Sequence, residues 1–144
     1  MKKAIMYGAG NIGRGFIGQL FSMSGYKTGF VDVNEAVISR LNTDQKYNIY
    51  ITDGDEYKTF TVENVYGING KNTEQIAEEI STADIMATAV GVNVLKFIAE
   101  PIAMGIKSRM KKAVSVPLNI ILCENMISAD EYLTELIKVP LTVI

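Results

Sequence analysis

The chain has 144 residues, 48% of them apolar and 21% charged, with a net charge of −2, one cysteine and no histidine. That size and composition suit one soluble globular domain with a core of its own. They argue against a nucleic-acid partner, which calls for a basic face. They also exclude a histidine base, a His-based metal site and a Ser-His-Asp triad within these residues.

Cys123 stands alone, so no internal disulfide can form, and a reducing cytoplasm is the expected setting. The opening "MKKAIMYG" is too short in its apolar run for a signal peptide, and no run reaches membrane-spanning length. No metal site and no membrane partner are expected.

Residues 2–7, "KKAIMY", read as a short buried strand running into glycines. A helix is expected over 11–24, with Ile12, Phe16, Ile17, Leu20 and Phe21 roughly on one side and Gly25 just past its end. "KTGFVDV", 27–33, is a second strand ending at an acid, and Asn34 caps a helix to about Leu41.

The period then changes. Residues 47–62 alternate through Tyr47, Ile49 and Ile51, turn near Asp53-Gly54, and alternate again through Phe60 and Val62, the pattern of a β-hairpin. A helix follows at 73–80, with Asn72 as cap and Gln75 three residues on.

"ADIMATAVG", 83–91, is a nearly continuous apolar strand of the kind buried on both faces. A helical stretch covers about 93–107, which Pro101 either restarts or kinks. The basic run 107–112 suits a helix C-terminus. "LNIILCEN", 118–125, is another buried strand, "SADE" from Ser128 opens a helix over 129–138, and "KVPLTVI" reads as the start of a further strand. Because that strand is unfinished, the chain is expected to be part of a longer protein.

This order predicts an α/β fold: a doubly wound, mainly parallel sheet with helices on both faces and a hairpin insertion. Ligands of such sheets bind outside the carboxyl ends of the strands, where strand order reverses.

The glycines at 8, 10 and 13 form G-x-G-x-x-G between a strand and a helix, and Asp32 ends the next strand 19 residues after Gly13. This is the Rossmann-type dinucleotide fingerprint. Gly8 allows the tight turn, Gly10 lets backbone approach a pyrophosphate, and Gly13 brings helix close to sheet. The amides around Ala9, Asn11 and Ile12 point at the phosphates with the helix dipole behind them. Asp32 accepts hydrogen bonds from the adenosine ribose and repels a 2′-phosphate, so NAD is expected over NADP.

Gly15 and Gly18 exceed the fingerprint. They permit close packing, the favoured role for Gly18, or clear room for ligand. Arg14 lies in the first turn, unfavourable for a cation unless an anion is near; otherwise it reaches into solvent. Ala89, Val90 and Gly91 end the strand 83–91 where backbone can pass close to a nucleotide. Glu124 and Asn125 face the crevice, and Cys123 reads as a core thiol.

"GAGNIGRGFIG" (8–18), "FVDVN" (30–34), "TAVG" (88–91) and "LNIILCENM" (118–126) together resemble the N-terminal domain of the polyol-specific long-chain dehydrogenases, mannitol-1-phosphate 5-dehydrogenases among them. The resemblance spans essentially the whole chain. It implies an NAD-binding Rossmann domain over 1–144 whose helical catalytic partner, bearing the family's lysine, lies outside these residues. It implies reversible hydride transfer between NAD and a sugar phosphate, with Asn125 as an oxyanion-type donor near the carbinol oxygen. The isolated domain is then expected to be inactive. An alternative from another class is a regulatory nucleotide-sensing domain of a transport system. A third, a methyltransferase using S-adenosylmethionine, suits the fingerprint less well.

Overall fold

The computed structural model describes residues 1–142. In chain order the elements are β1 (Lys3–Tyr7), α1 (a π-helical opening Gly13–Ile17 continuing as Gly18–Met23), β2 (Lys27–Asp32), α2 (Glu35–Asp44), β3 (Lys46–Asp53), β4 (Glu56–Glu63) and β5 (Val65–Asn69). There follow α3 (Thr73–Ser81), β6 (Ile85–Thr88), a 3-10 turn Val92–Val94, α4 (Leu95–Lys111), β7 (Asn119–Leu122) and α5 (Ala129–Thr142).

Five strands form one parallel sheet in the order β5-β2-β1-β6-β7, and β3 pairs with β4 in a separate antiparallel ribbon. Each face of the sheet carries its own core. Ile17 and Phe21 of α1, Ile38 and Leu41 of α2, and Val62 of the hairpin pack with Met6 and Phe30 on one face. Ile76 and Ile80 of α3, Leu95, Ile98 and Ile102 of α4, and Leu133 and Ile137 of α5 pack with Ile5, Val31 and Met86 on the other. Being covered on both sides is why β1 and β6 read as unbroken apolar runs.

The chain moves one way from β1 through β2 to β5 and the other way through β6 to β7. Right-handed crossovers then put α1 and α2 on one face and α4 on the other. The loops after β1 and β6 part at this reversal, which opens a crevice at the strands' carboxyl ends.

Two of the expected caps are present: Asn34 Oδ1 accepts from Val37 N–H at 3.3 Å, and Asn72 Oδ1 accepts from Gln75 N–H at 3.1 Å. The hairpin turns at Gly54, with Asp53 facing Glu56.

Three expectations are corrected. The strand β5 has no place in the sequence-based order, because Gly67 interrupts a run of only five residues. That glycine is there for space: a Cβ would lie 2.6 Å from the Ile38 carbonyl oxygen. The segment from Lys138, expected as a strand, continues α5 to Thr142; residues 143 and 144 lie outside the described ones. Leu133, Ile137 and Leu141 recur every fourth residue and join one core, so the helical period overrides the apolar run. Helix 11–24 opens with a π-helical turn, in which Gly18 N–H bonds the Gly13 carbonyl.

The basic run closes α4 as expected, but Arg109 turns inward. It is 6% exposed, and its guanidinium donates to the carbonyls of Ser81 (3.3 Å), Ala83 (2.6 Å) and Val116 (2.7 Å). It thus ties the end of α3 to α4.

Candidate functional site

The crevice is fixed by backbone pairing that runs past the strand ends. Gly8 N–H donates to Val31 O (2.8 Å), Ala89 N–H to Tyr7 O (2.8 Å), Gly70 N–H to Asp32 O (2.9 Å) and Cys123 N–H to Thr88 O (2.8 Å). A cavity of about 520 Å³ sits at this edge. Gly8, Gly10, Asp32, Val33, Ala89 and Val90 line it, together with Gly70, Lys71 and Thr73 after β5 and Phe97, Ile98 and Pro101 of α4.

The three fingerprint glycines do different work. Gly8 has φ +110°, and a Cβ there would lie 2.3 Å from the Ala89 carbonyl oxygen, so the two loops touch at this point. A Cβ on Gly13 would lie 2.1 Å from the Gly8 carbonyl oxygen, which is close packing of helix on turn. Gly10 is exposed, lines the cavity, and a Cβ there would meet no protein atom within 4 Å. Of the three, it is the one whose missing side chain no protein packing requires.

Asn11 and Ile12 are exposed in the first helical turn beside Gly10 and do not line the cavity. Gly18 is a packing glycine, its Cβ position 2.5 Å from the Tyr47 hydroxyl and 2.7 Å from Phe30. Gly15 faces open space and nothing in the structure explains it. Arg14 turns back on its own loop, Nε donating to the Ala9 carbonyl at 2.6 Å, while the Tyr47 hydroxyl donates to the Arg14 carbonyl at 2.6 Å. Burial holds that hydroxyl far above the ordinary tyrosine range, against the lowering effect of Arg14, so it stays a donor.

Asp32 lines the cavity, and its carboxylate has a second task. Oδ2 accepts from Ala9 N–H at 2.8 Å and Oδ1 from Asn34 N–H at 2.9 Å. Ala9 is itself buried and contributes this amide to the corner instead of lining the cavity. A carboxylate offers about four lone-pair sites, so acceptor capacity remains on the cavity side.

On the opposite bank, Ala89 and Val90 line the cavity, whereas Gly91 stands behind them at φ +93° and makes the turn into the 3-10 segment. The loop is held from β7. Glu124 accepts from Thr88 Oγ1 (2.8 Å), from Val90 N–H (3.1 and 3.2 Å to its two oxygens) and from Gly91 N–H (3.0 Å). Asn125 is exposed at the same edge and does not line the cavity. Cys123 is partly buried; burial, and then the Glu124 charge, push its thiol up, away from nucleophilic use. Burial also raises the Tyr7 hydroxyl to about 12, so it stays neutral.

Sequence reasoning missed Gly70, Lys71 and Thr73 because it missed the strand that delivers them. Phe97 gave a signal only as one apolar residue in a helical stretch. Among the described residues, no group of three or more His, Cys, Asp or Glu side chains is placed to hold a metal. Nor, among the described residues, is any helix long and apolar enough to cross a membrane.

Residues 2–142 match the model of the mannitol dehydrogenase Rossmann domain. The mannitol-1-phosphate 5-dehydrogenase of Lactococcus lactis subsp. lactis is 48% identical over 136 residues, which cover 94% of this chain and 35% of that protein. Proteins of the same name from Streptococcus mutans and Shouchella clausii are 46% and 49% identical over 92% and 91% of this chain. The chain spans about 35% of the length of the L. lactis relative. Among solved structures, a UDP-glucose dehydrogenase from Pyrobaculum islandicum shares the fold, with TM-score 0.50 and 13% identity over 88% of this chain and 36% of that one. None of these supports a transport regulator. A Rossmann domain of a dehydrogenase family implies a nucleotide cofactor, and by the match over 2–142 the chain belongs to the mannitol dehydrogenase Rossmann-domain family.

Proposed function

We propose that the chain is the NAD-binding half of an oxidoreductase interconverting mannitol 1-phosphate and fructose 6-phosphate. The observation that carries this reading is Gly10: a glycine whose Cβ position meets no packed protein atom within 4 Å, beside a cavity that Asp32 also lines. Bulk is absent there for a ligand's sake, and the helix N-terminus behind it favours a diphosphate. The residues fit the cofactor. Gly10 and the first turn of α1 would admit the pyrophosphate, Asp32 would take ribose hydroxyls, and Val33, Val90 and Ile98 give the cavity apolar walls. NAD, when bound, supplies the acceptor for the hydride that leaves the alcohol carbon.

The chain's own residues bind and orient. Asn125, at the carboxyl edge, offers its side-chain amide to the carbinol oxygen, a role carried by the family resemblance. The proton of that alcohol needs a base. The resemblance places the family lysine in the length of the relatives that this chain does not span. Residues 1–144 alone are therefore expected to bind NAD without oxidising mannitol 1-phosphate; turnover by them would put the base inside this domain.

Selectivity for NAD rests on Asp32 repelling a 2′-phosphate, while Lys71, lining the same cavity, attracts one. Calorimetric titration should show wild type preferring NAD over NADP by about tenfold or more, as one repulsive charge contact can supply. Asp32→Asn should narrow that ratio. An unchanged ratio would remove Asp32 from the ribose.

A further inference from the structure

We infer that Glu124 is a positioning residue for dinucleotide binding: by gathering Thr88, Val90 and Gly91 from behind, it sets the cavity wall formed by Ala89 and Val90. This rests on the dinucleotide reading above and deepens it.

Glu124 does not line the cavity. It sits past the end of β7, the neighbour of β6, and reaches across to the next loop. Its carboxylate accepts from one hydroxyl and two consecutive backbone amides, at 2.8 to 3.2 Å. Two consequences follow. The amides of Val90 and Gly91 are taken up by Glu124, which does not line the cavity, so they are not the donors this loop offers a ligand. The wall's position also depends on a residue more than thirty positions downstream, with the Gly91 turn at φ +93° completing the shape. The Ala89 carbonyl is held against Gly8, where no Cβ would fit, so a loop that slackens here disturbs the phosphate corner as well.

The test compares wild type with Glu124→Ala, Glu124→Gln and Thr88→Val by two measurements: NAD titration calorimetry, and amide hydrogen exchange of Val90 and Gly91. Glu124→Ala should weaken NAD about tenfold and strip exchange protection from those two amides. NAD saturation should restore part of that protection. Glu124→Gln, which keeps one acceptor oxygen, should recover part of both signals. Thr88→Val, nearly isosteric and able to fold should the alanine variant fail, should weaken NAD by a smaller factor. A purely structural role would lower melting temperature without this local exchange signature. The inference is overturned if wild type and Glu124→Ala bind NAD equally, or if affinity falls while both amides stay protected. If wild type binds no NAD, the dinucleotide reading itself fails, a distinguishable result.

Discussion

The two banks of the cleft are built on different principles. The bank at residues 8–13 is made locally: a strand, a turn that two crowded glycines permit, and a helix that opens at once. The bank at 88–91 has no such local code beyond Gly91, and takes its shape from Glu124, just past the end of β7. From the rest of the chain the first takes bracing: Val31 O accepts from Gly8 N–H, Asp32 from Ala9 N–H, and the Tyr47 hydroxyl donates to the Arg14 carbonyl. The second is tertiary in origin. A binding site can thus be half written in a short motif and half in a side chain far along the sequence.

The sharpest way to break this contrast is at the point where the banks touch. Gly8→Ala combines φ +110° with a Cβ 2.3 Å from the Ala89 carbonyl oxygen. It should cost about 3 kcal/mol or more in denaturant unfolding; a loss under about 1 kcal/mol would mean that the loops part easily. Next, Asp32→Ala leaves the N–H of buried Ala9 without its acceptor. It should lower stability by about 1–3 kcal/mol in the same assay, besides its effect on cofactor choice. If stability is unchanged, the first bank stands without its brace. The smallest effect concerns the second bank. Burial and then the Glu124 charge raise the Cys123 thiol, so thiolate is scarce at neutral pH. Alkylation by iodoacetamide should therefore be slower than for a free cysteine and accelerate only above the ordinary thiol range. Glu124→Gln should shift that rise to lower pH, and an unmoved profile would deny the contact.

The same division governs what could be read in the sequence. The fingerprint glycines and Asp32 were legible as a motif of fixed spacing, and the Asn34 and Asn72 caps and the hairpin period because each is a local geometric demand. The strand β5 was not, since Gly67 weakens its pattern to admit Ile38 of α2, a contact invisible in one dimension. With β5 went Lys71, a cation lining the cavity. The end of α5 was misread because its apolar residues fit a strand run as well as the i, i+4 helix face that the α4 contact selects. The task of Glu124 was out of reach. Its position at a strand end was plain, but three donors converging on it require the fold.

The central claim is that Gly10 is empty for the sake of a bound dinucleotide. Titrating NAD into wild type and Gly10→Val, with the melting temperature of each recorded, tests it directly. A Cβ at this position meets no protein atom within 4 Å, so the fold should melt nearly as before. NAD affinity should fall by about a hundredfold or more, roughly 2.7 kcal/mol of binding free energy. Equal NAD affinity in the two proteins, both folded, would contradict the account.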